Sequence, residues 1–176
     1  MMANRKKSLT EKEYWGDIKT LTQKIDNHSR GSKAEKAIVA IGRGGWIPGA
    51  YAGQKLDIPI LPVKCAVYKP GQTDTLLKTP KVSTLAFLQE WTEQTLKTAK
   101  SPDILIYLVD DLIDKGITSD LVEGKIREYL KTALPDSARL EIVRCALYTK
   151  KDGEVEIYVK ETEVGVWVVF PYDGEG

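Results

Sequence analysis

The chain has 176 residues, with 26 Lys and Arg against 25 Asp and Glu for a net charge of +1. That length fits one domain able to bury a core without staples, and the balanced charge gives no field that would draw the whole chain to nucleic acid or a membrane surface. No apolar run reaches the roughly 18 residues of a membrane span, and Met1 to Thr10 has no apolar signal-peptide region. Cys65 and Cys145 both lie in apolar runs, which reads as reduced thiols rather than a disulfide framework. The expectation is a cytoplasmic protein that binds neither nucleic acid nor membrane.

In chain order, Arg5-Lys6-Lys7 reads as a solvated tail. Ser8 and Thr10 each have a glutamate three residues on, Glu11 and Glu13, a doubled capping-box signal. Tyr14, Ile18, Leu21 and Ile25 then share one helical face, and His28 falls at the helix exit as an ordinary loop histidine. Ala37 to Ile41 is a short β-branched strand ending at Gly42-Arg43-Gly44-Gly45, and Pro48 suits the first turn of a helix reaching Leu56.

Ile60 to Tyr68 predicts one further strand. Lys69 to Ser83 is polar, aperiodic and long for a passive connection, which suggests a lid. Thr84 to Lys100 is helical, with Trp91 in a stretch suited to a subunit contact. Ile104 to Val109 has the continuous apolar pattern of a central parallel strand and is predicted to break at Asp110-Asp111. A helix with Val122, Ile126 and Leu130 on one face follows, then strands at Leu140–Tyr148, Val155–Val159 and Val166–Phe170. This alternation predicts an α/β fold with a mainly parallel sheet.

The chemistry concentrates where the strand delivers Asp110 and Asp111 to the carboxyl edge of the sheet, the edge at which open α/β folds bind ligands. Behind them Asp114-Lys115-Gly116-Ile117-Thr118 opens a helix, whose free amides and positive dipole end attract an anion. Carboxylates for hydroxyls followed by amides for a phosphate describe a pocket for ribose 5-phosphate. The glycines of Gly42–Gly45 permit close backbone approach, and Arg43 is suited to bidentate contact with a diphosphate. A dinucleotide-binding reading is disfavoured because no G-x-G-x-x-G opens a helix, and there is no Walker A sequence.

The run Leu108 to Ser119 resembles the phosphoribosyl pyrophosphate (PRPP) motif of type I phosphoribosyltransferases, and Val39 to Gly49 resembles that family's pyrophosphate loop, particularly in the xanthine/guanine branch. The resemblance spans about Ile38 to Asp173, with no matching pattern between Tyr68 and Ile104, and it departs from the family at Lys115, commonly a threonine. It implies the type I fold, with helices flanking the sheet and a small hood: 1–35 as N-terminal helix and hood, 36–148 as core, 149–176 as C-terminal hood. It implies transfer of the phosphoribosyl group of PRPP to a 6-oxopurine, with Mg²⁺, by a homodimer or homotetramer.

By the same resemblance, Asp110 and Asp111 hold the ribose hydroxyls directly or through Mg²⁺, and Asp114 to Thr118 hold the 5′-phosphate. Asp114 is the general base, while Gly42, Arg43, Gly44 and Gly45 bind the pyrophosphate beside a non-proline cis peptide. Lys150, or Lys151 next to it, contacts the purine O6. Trp167 stacks on the base, the backbone at Val168 reads its edge, and Asp173 helps with a second metal. Two other readings remain open: a PRPP or nucleotide sensor of the same fold, and a transferase using a pyrimidine or adenine acceptor.

Overall fold

The structure, a computed structural model, describes residues 5–68, 76–83, 85–98, 102–150 and 154–173. In chain order the first elements are β1 (Arg5–Ser8), α1 (Glu11–Ser29), β2 (Glu35–Ile41), α2 (Trp46–Leu56), β3 (Ile60–Val63), β4 (Cys65–Tyr68) and β5 (Leu76–Val82). Then come α3 (Ala86–Thr98), β6 (Ile104–Ile113), α4 (Ile117–Ala133), β7 (Leu140–Lys150), β8 (Ile157–Thr162) and β9 (Val166–Val169).

Five strands form a parallel central sheet in the order β3-β2-β6-β7-β8. Side chains alternate across it. Leu105, Tyr107 and Val109 of β6 pack with Ile18, Leu21 and Ile25 of α1 and Ala52 of α2. Ile104, Ile106 and Leu108 pack with Leu88 of α3 and Val122, Ile126 and Leu130 of α4, with Trp91 half-buried against them. Helices on both faces explain why β6 begins as an unbroken apolar run.

Thr10 caps α1 with a full capping box: its hydroxyl accepts from the Glu13 amide at 3.2 Å, and the Glu13 carboxylate accepts from the Thr10 amide at 2.9 Å. Ser8, the alternative cap, instead ends β1. That strand takes in the Arg5–Lys7 run expected as a frayed tail, because its backbone pairs in parallel with β9 while its side chains stay exposed. The described residues after β7 divide between two sheets: β8 is the edge strand of the central sheet, and β9 belongs with β1.

Three other expectations are corrected. Ile60–Tyr68 is two strands, since β3 is an edge of the central sheet and β4 turns away at Lys64 to pair antiparallel with β5. The polar stretch expected as a loop therefore contains a strand at 76–82; Pro80 is tolerated there because, among the described residues, β5 pairs with β4 alone and is an edge strand. Residues 69–75, the middle of the expected lid, lie outside the described residues. Finally, β6 does not break at Asp110. Its ladder with β2 ends at Val109, but the ladder with β7 continues through Asp110↔Ala146 to Ile113↔Thr149.

That last difference creates the crevice. After β2 the chain goes outward to β3, and β6 then enters on β2's other side, so connections diverge between β2 and β6. Such a switch point leaves a gap at the strands' carboxyl ends. Here Gly42–Gly45 leave β2 while β6 runs on past them, and the close approach demands glycine. A Cβ on Gly45 would strike the Val109 carbonyl oxygen and stand 2.8 Å from the Ile41 nitrogen. Gly45→Ala is expected to lower stability by about 1–3 kcal/mol, the usual cost of overpacking, as read from the midpoint of chemical denaturation.

Candidate active site

Asp110 and Asp111 stand half-buried at the mouth of the crevice. One Asp110 oxygen accepts from the Asp111 amide at 2.9 Å, and one Asp111 oxygen accepts from the Leu112 amide at 2.6 Å. The second Asp111 oxygen accepts from the Tyr172 hydroxyl. Among the described residues neither carboxylate has a lysine or arginine in an ion pair. Desolvation first, and the neighbouring Asp111 charge second, push the Asp110 pKa well above the ordinary carboxylate value. Burial also raises Asp111, against the opposing hydrogen bonds from Tyr172 and the backbone.

Beyond Asp114 the backbone reverses at Gly116, whose φ of 73° lies in the left-handed region that favours glycine. Gly116 is the N-cap of α4 and gives no side-chain cap, which leaves the first-turn amides without a side-chain acceptor among the described residues. Arg144 of β7, largely buried, holds this turn from below, with its guanidinium 2.8 Å from both Asp120 and Glu123. The first-turn negative charge of Asp120 is thereby compensated beside a site suited to an anion.

A cavity of about 230 Å³ joins these parts, lined by Asp110 to Ser119 together with Trp167, Val168, Phe170 and Asp173. The structure therefore brings together Asp110, Asp111, Asp114, Lys115, Gly116, Ile117, Thr118, Trp167, Val168 and Asp173 around one space. Lys150 lies just behind this wall: it is buried, and its Nζ donates to Asp114 at 2.8 Å. Lys151 is outside the described residues. Asp173 folds back on its own turn, accepting from the Phe170 amide at 2.8 Å, while its charge helps to raise Asp111.

The Gly42–Gly45 loop is adjacent but does not line the cavity. A Cβ on Gly44 would collide with the Asp111 carboxylate, so loop and carboxylate are in direct apposition. Arg43 is exposed and outside the cavity wall. The non-proline cis peptide expected beside it is not found: the described peptide bonds are trans, and Gly42 makes the turn with φ 52°.

Sequence reasoning missed two aromatic residues. Tyr172 reaches Asp111 from a turn far away in the chain, and its ring stacks on Phe170 with centroids 5.5 Å apart and planes 4° from parallel. Tyr14, read as plain helix core, is buried with its ring edge-on to Tyr172, and the Asp111 and Asp173 charges help burial to raise its pKa. Only the place of Tyr172, between Pro171 and Asp173, hinted at the first.

Two carboxylates fit sugar hydroxyls or a hard cation, the α4 terminus fits a phosphate, and Trp167 adds an aromatic side chain to the same lining. Among the described residues no three His, Cys, Asp or Glu side chains form a metal cage. The two adjacent carboxylates are hard oxygen donors of the kind that Mg²⁺ takes together with substrate phosphates. No helix among the described residues is long and apolar enough to cross a membrane.

The chain is similar in sequence and in fold to several phosphoribosyltransferases. Xanthine-guanine phosphoribosyltransferase of Gluconobacter oxydans (strain 621H) is 31% identical over 140 residues, 78% of this chain and 68% of the relative. The enzyme of the same name from Nitratidesulfovibrio vulgaris (strain DP4) is 29% identical over 147 residues, 80% of this chain and 70% of the relative. Purine phosphoribosyltransferase from Pyrococcus horikoshii Ot3 has the same fold, with a TM-score of 0.66 at 22% identity over 97% of this chain and 96% of that one. No protein-family model matches the chain. The chain belongs to the type I phosphoribosyltransferases, a class of glycosyltransferase-type enzymes. Within that family its similarity is to the purine enzymes.

The raised carboxylates have a consequence for stability. An acid whose pKa is higher folded than unfolded binds its proton more tightly when folded, so its contribution is fully present at low pH and is lost as pH rises through the folded value. With a chelator present, the protein is expected to lose thermal stability as pH rises from the ordinary carboxylate range toward neutrality. Asp110→Asn removes the titrating group and is expected to raise Tm by about 2–4 °C at neutral pH and flatten that slope, as measured by thermal unfolding across a pH series.

Proposed function

We propose that the chain transfers the 5-phosphoribosyl group of PRPP to a 6-oxopurine (hypoxanthine, guanine or xanthine), releasing pyrophosphate, with Mg²⁺ as the metal. The observation that carries this reading is the gathering, around one cavity, of the Asp110-Asp111 pair, the start of α4 behind its Gly116 N-cap, and Trp167.

In this reading the amides of Lys115 to Thr118 take the 5′-phosphate, and Asp110 and Asp111 take the ribose hydroxyls. The bond from C1′ to the pyrophosphate oxygen breaks as a purine nitrogen bonds to C1′. Pyrophosphate leaves toward Gly42–Gly45, whose amides, with Arg43 at the rim, stabilise its growing charge. Mg²⁺, when bound by Asp110 and Asp111 with Asp173 in support, would neutralise part of that charge. Asp114 accepts the proton released by the base nitrogen. Lys150 is already bonded to Asp114 and keeps that carboxylate turned to the site, with further N–H donors to offer the purine O6. Trp167 stacks on the base, and the chain at Val168 reads its edge.

The test is ultraviolet-monitored nucleotide formation from PRPP and Mg²⁺ with hypoxanthine, guanine, xanthine, adenine and orotate in parallel. Turnover with a 6-oxopurine, and none with adenine or orotate, is the expected result. Turnover with adenine or orotate alone would overturn the acceptor assignment, and PRPP binding without turnover of any base would make the protein a sensor. Asp114→Asn is expected to lower kcat about 100-fold or more, the usual contribution of a general base.

A further inference from the structure

Asp111 is unusual among the site carboxylates in being held by a side chain from the far end of the protein. One of its oxygens accepts from the Leu112 amide and the other from the Tyr172 hydroxyl, so both are spoken for. The Tyr172 ring is itself fixed, stacked on Phe170 and edge-on to Tyr14 with centroids 5.7 Å apart. A phenol locked by packing on two sides sets the direction of its hydroxyl, and hence the plane of the carboxylate it binds.

Tyr14 provides a second, independent observation. Its side chain is 3% exposed, yet among the described residues nothing pairs with its hydroxyl. Buried phenols usually find a partner. This one lies within the electrostatic reach of Asp111 and Asp173, on the side of the cluster supplied by α1. That hydroxyl is buried and Tyr14 does not line the cavity, so the part Tyr14 plays is that of its ring, set edge-on to Tyr172.

We propose that Tyr172 is a positioning residue for PRPP, acting by orienting the Asp111 carboxylate, with the Tyr14 ring holding Tyr172 in place. The inference rests on the phosphoribosyl reading of the site. The Tyr172 phenol then acts on the sugar side of the reaction and leaves the purine side untouched. Its contribution falls on PRPP affinity, with little on the chemical step or on the acceptor base.

The experiment uses the full chain with Mg²⁺ and measures kcat and both KM values for wild type, Tyr172→Phe and Tyr14→Phe, together with PRPP binding by calorimetry and Tm without ligand. Phenylalanine keeps each ring and its packing. Tyr172→Phe is expected to raise KM and Kd for PRPP about tenfold, as for loss of a hydrogen bond to a charged group, with kcat and the KM of the base within about twofold. Tyr14→Phe keeps the ring that packs on Tyr172 and is expected to leave the PRPP constants within about twofold, its unliganded Tm level or raised, since among the described residues its hydroxyl has no partner to lose. Unchanged PRPP constants in Tyr172→Phe overturn the proposal, as does a loss spread equally over PRPP, base and kcat, or a loss of PRPP affinity in Tyr14→Phe equal to that in Tyr172→Phe. If wild type neither binds nor consumes PRPP, the reading of the site fails and the proposal falls with it, an outcome distinct from variants that match an active wild type.

Discussion

Two adjacent carboxylates, half-buried at the end of a central strand with no cationic partner among the described residues, are the constraint around which the site is organised. Bringing like charges out of water is unfavourable, and proteins ordinarily oppose it with a counter-ion or shift the group toward its neutral form. Here the surroundings supply partial remedies. Backbone amides take one oxygen of each, Tyr172 takes another, and Gly44 leaves the space the Asp111 carboxylate occupies. The remaining repulsion persists in the unliganded protein, which gives a cation or a pair of sugar hydroxyls a differential interaction to relieve.

The geometry follows from the sheet. Because β2 ends at Ile41 and β6 continues beside β7 to Ile113, the carboxylates project where the sheet has lost one neighbour. Gly45 seals that corner against the Val109 carbonyl, and Gly116 turns the chain into α4. Arg144 then ties the first turns of α4 back to β7 through Asp120 and Glu123. Anion site, carboxylates and Trp167 wall are thus carried on rigid elements, as a site requiring fixed geometry needs.

The parts legible in the sequence are those whose chemistry is contiguous in the chain. Asp110 to Thr118 is one uninterrupted strand–turn–helix passage, so its residue order exposes both the carboxylates and the amide turn. The Gly42–Gly45 turn is read the same way, and Thr10 with Glu13 revealed the start of α1. What stayed hidden depends on tertiary contact. Nothing local indicates that Lys150 is buried against Asp114, or that Tyr172 returns to Asp111. The strand β5 was masked by its polar residues and Pro80, which a two-stranded edge accepts and a central strand does not. Asp110 and Asp111 were read as a strand end because aspartate is rare in strands, whereas the ladder with β7 carries them onward.

The most direct test of this account is a crystal structure of the chain with ribose 5-phosphate and Mg²⁺. The account predicts the phosphate on the amides of residues 115–118 at the start of α4, and the 2′- and 3′-hydroxyl side of the sugar facing Asp110 and Asp111. A sugar phosphate bound in the reverse direction, or at another surface with this cavity left to solvent, would contradict it.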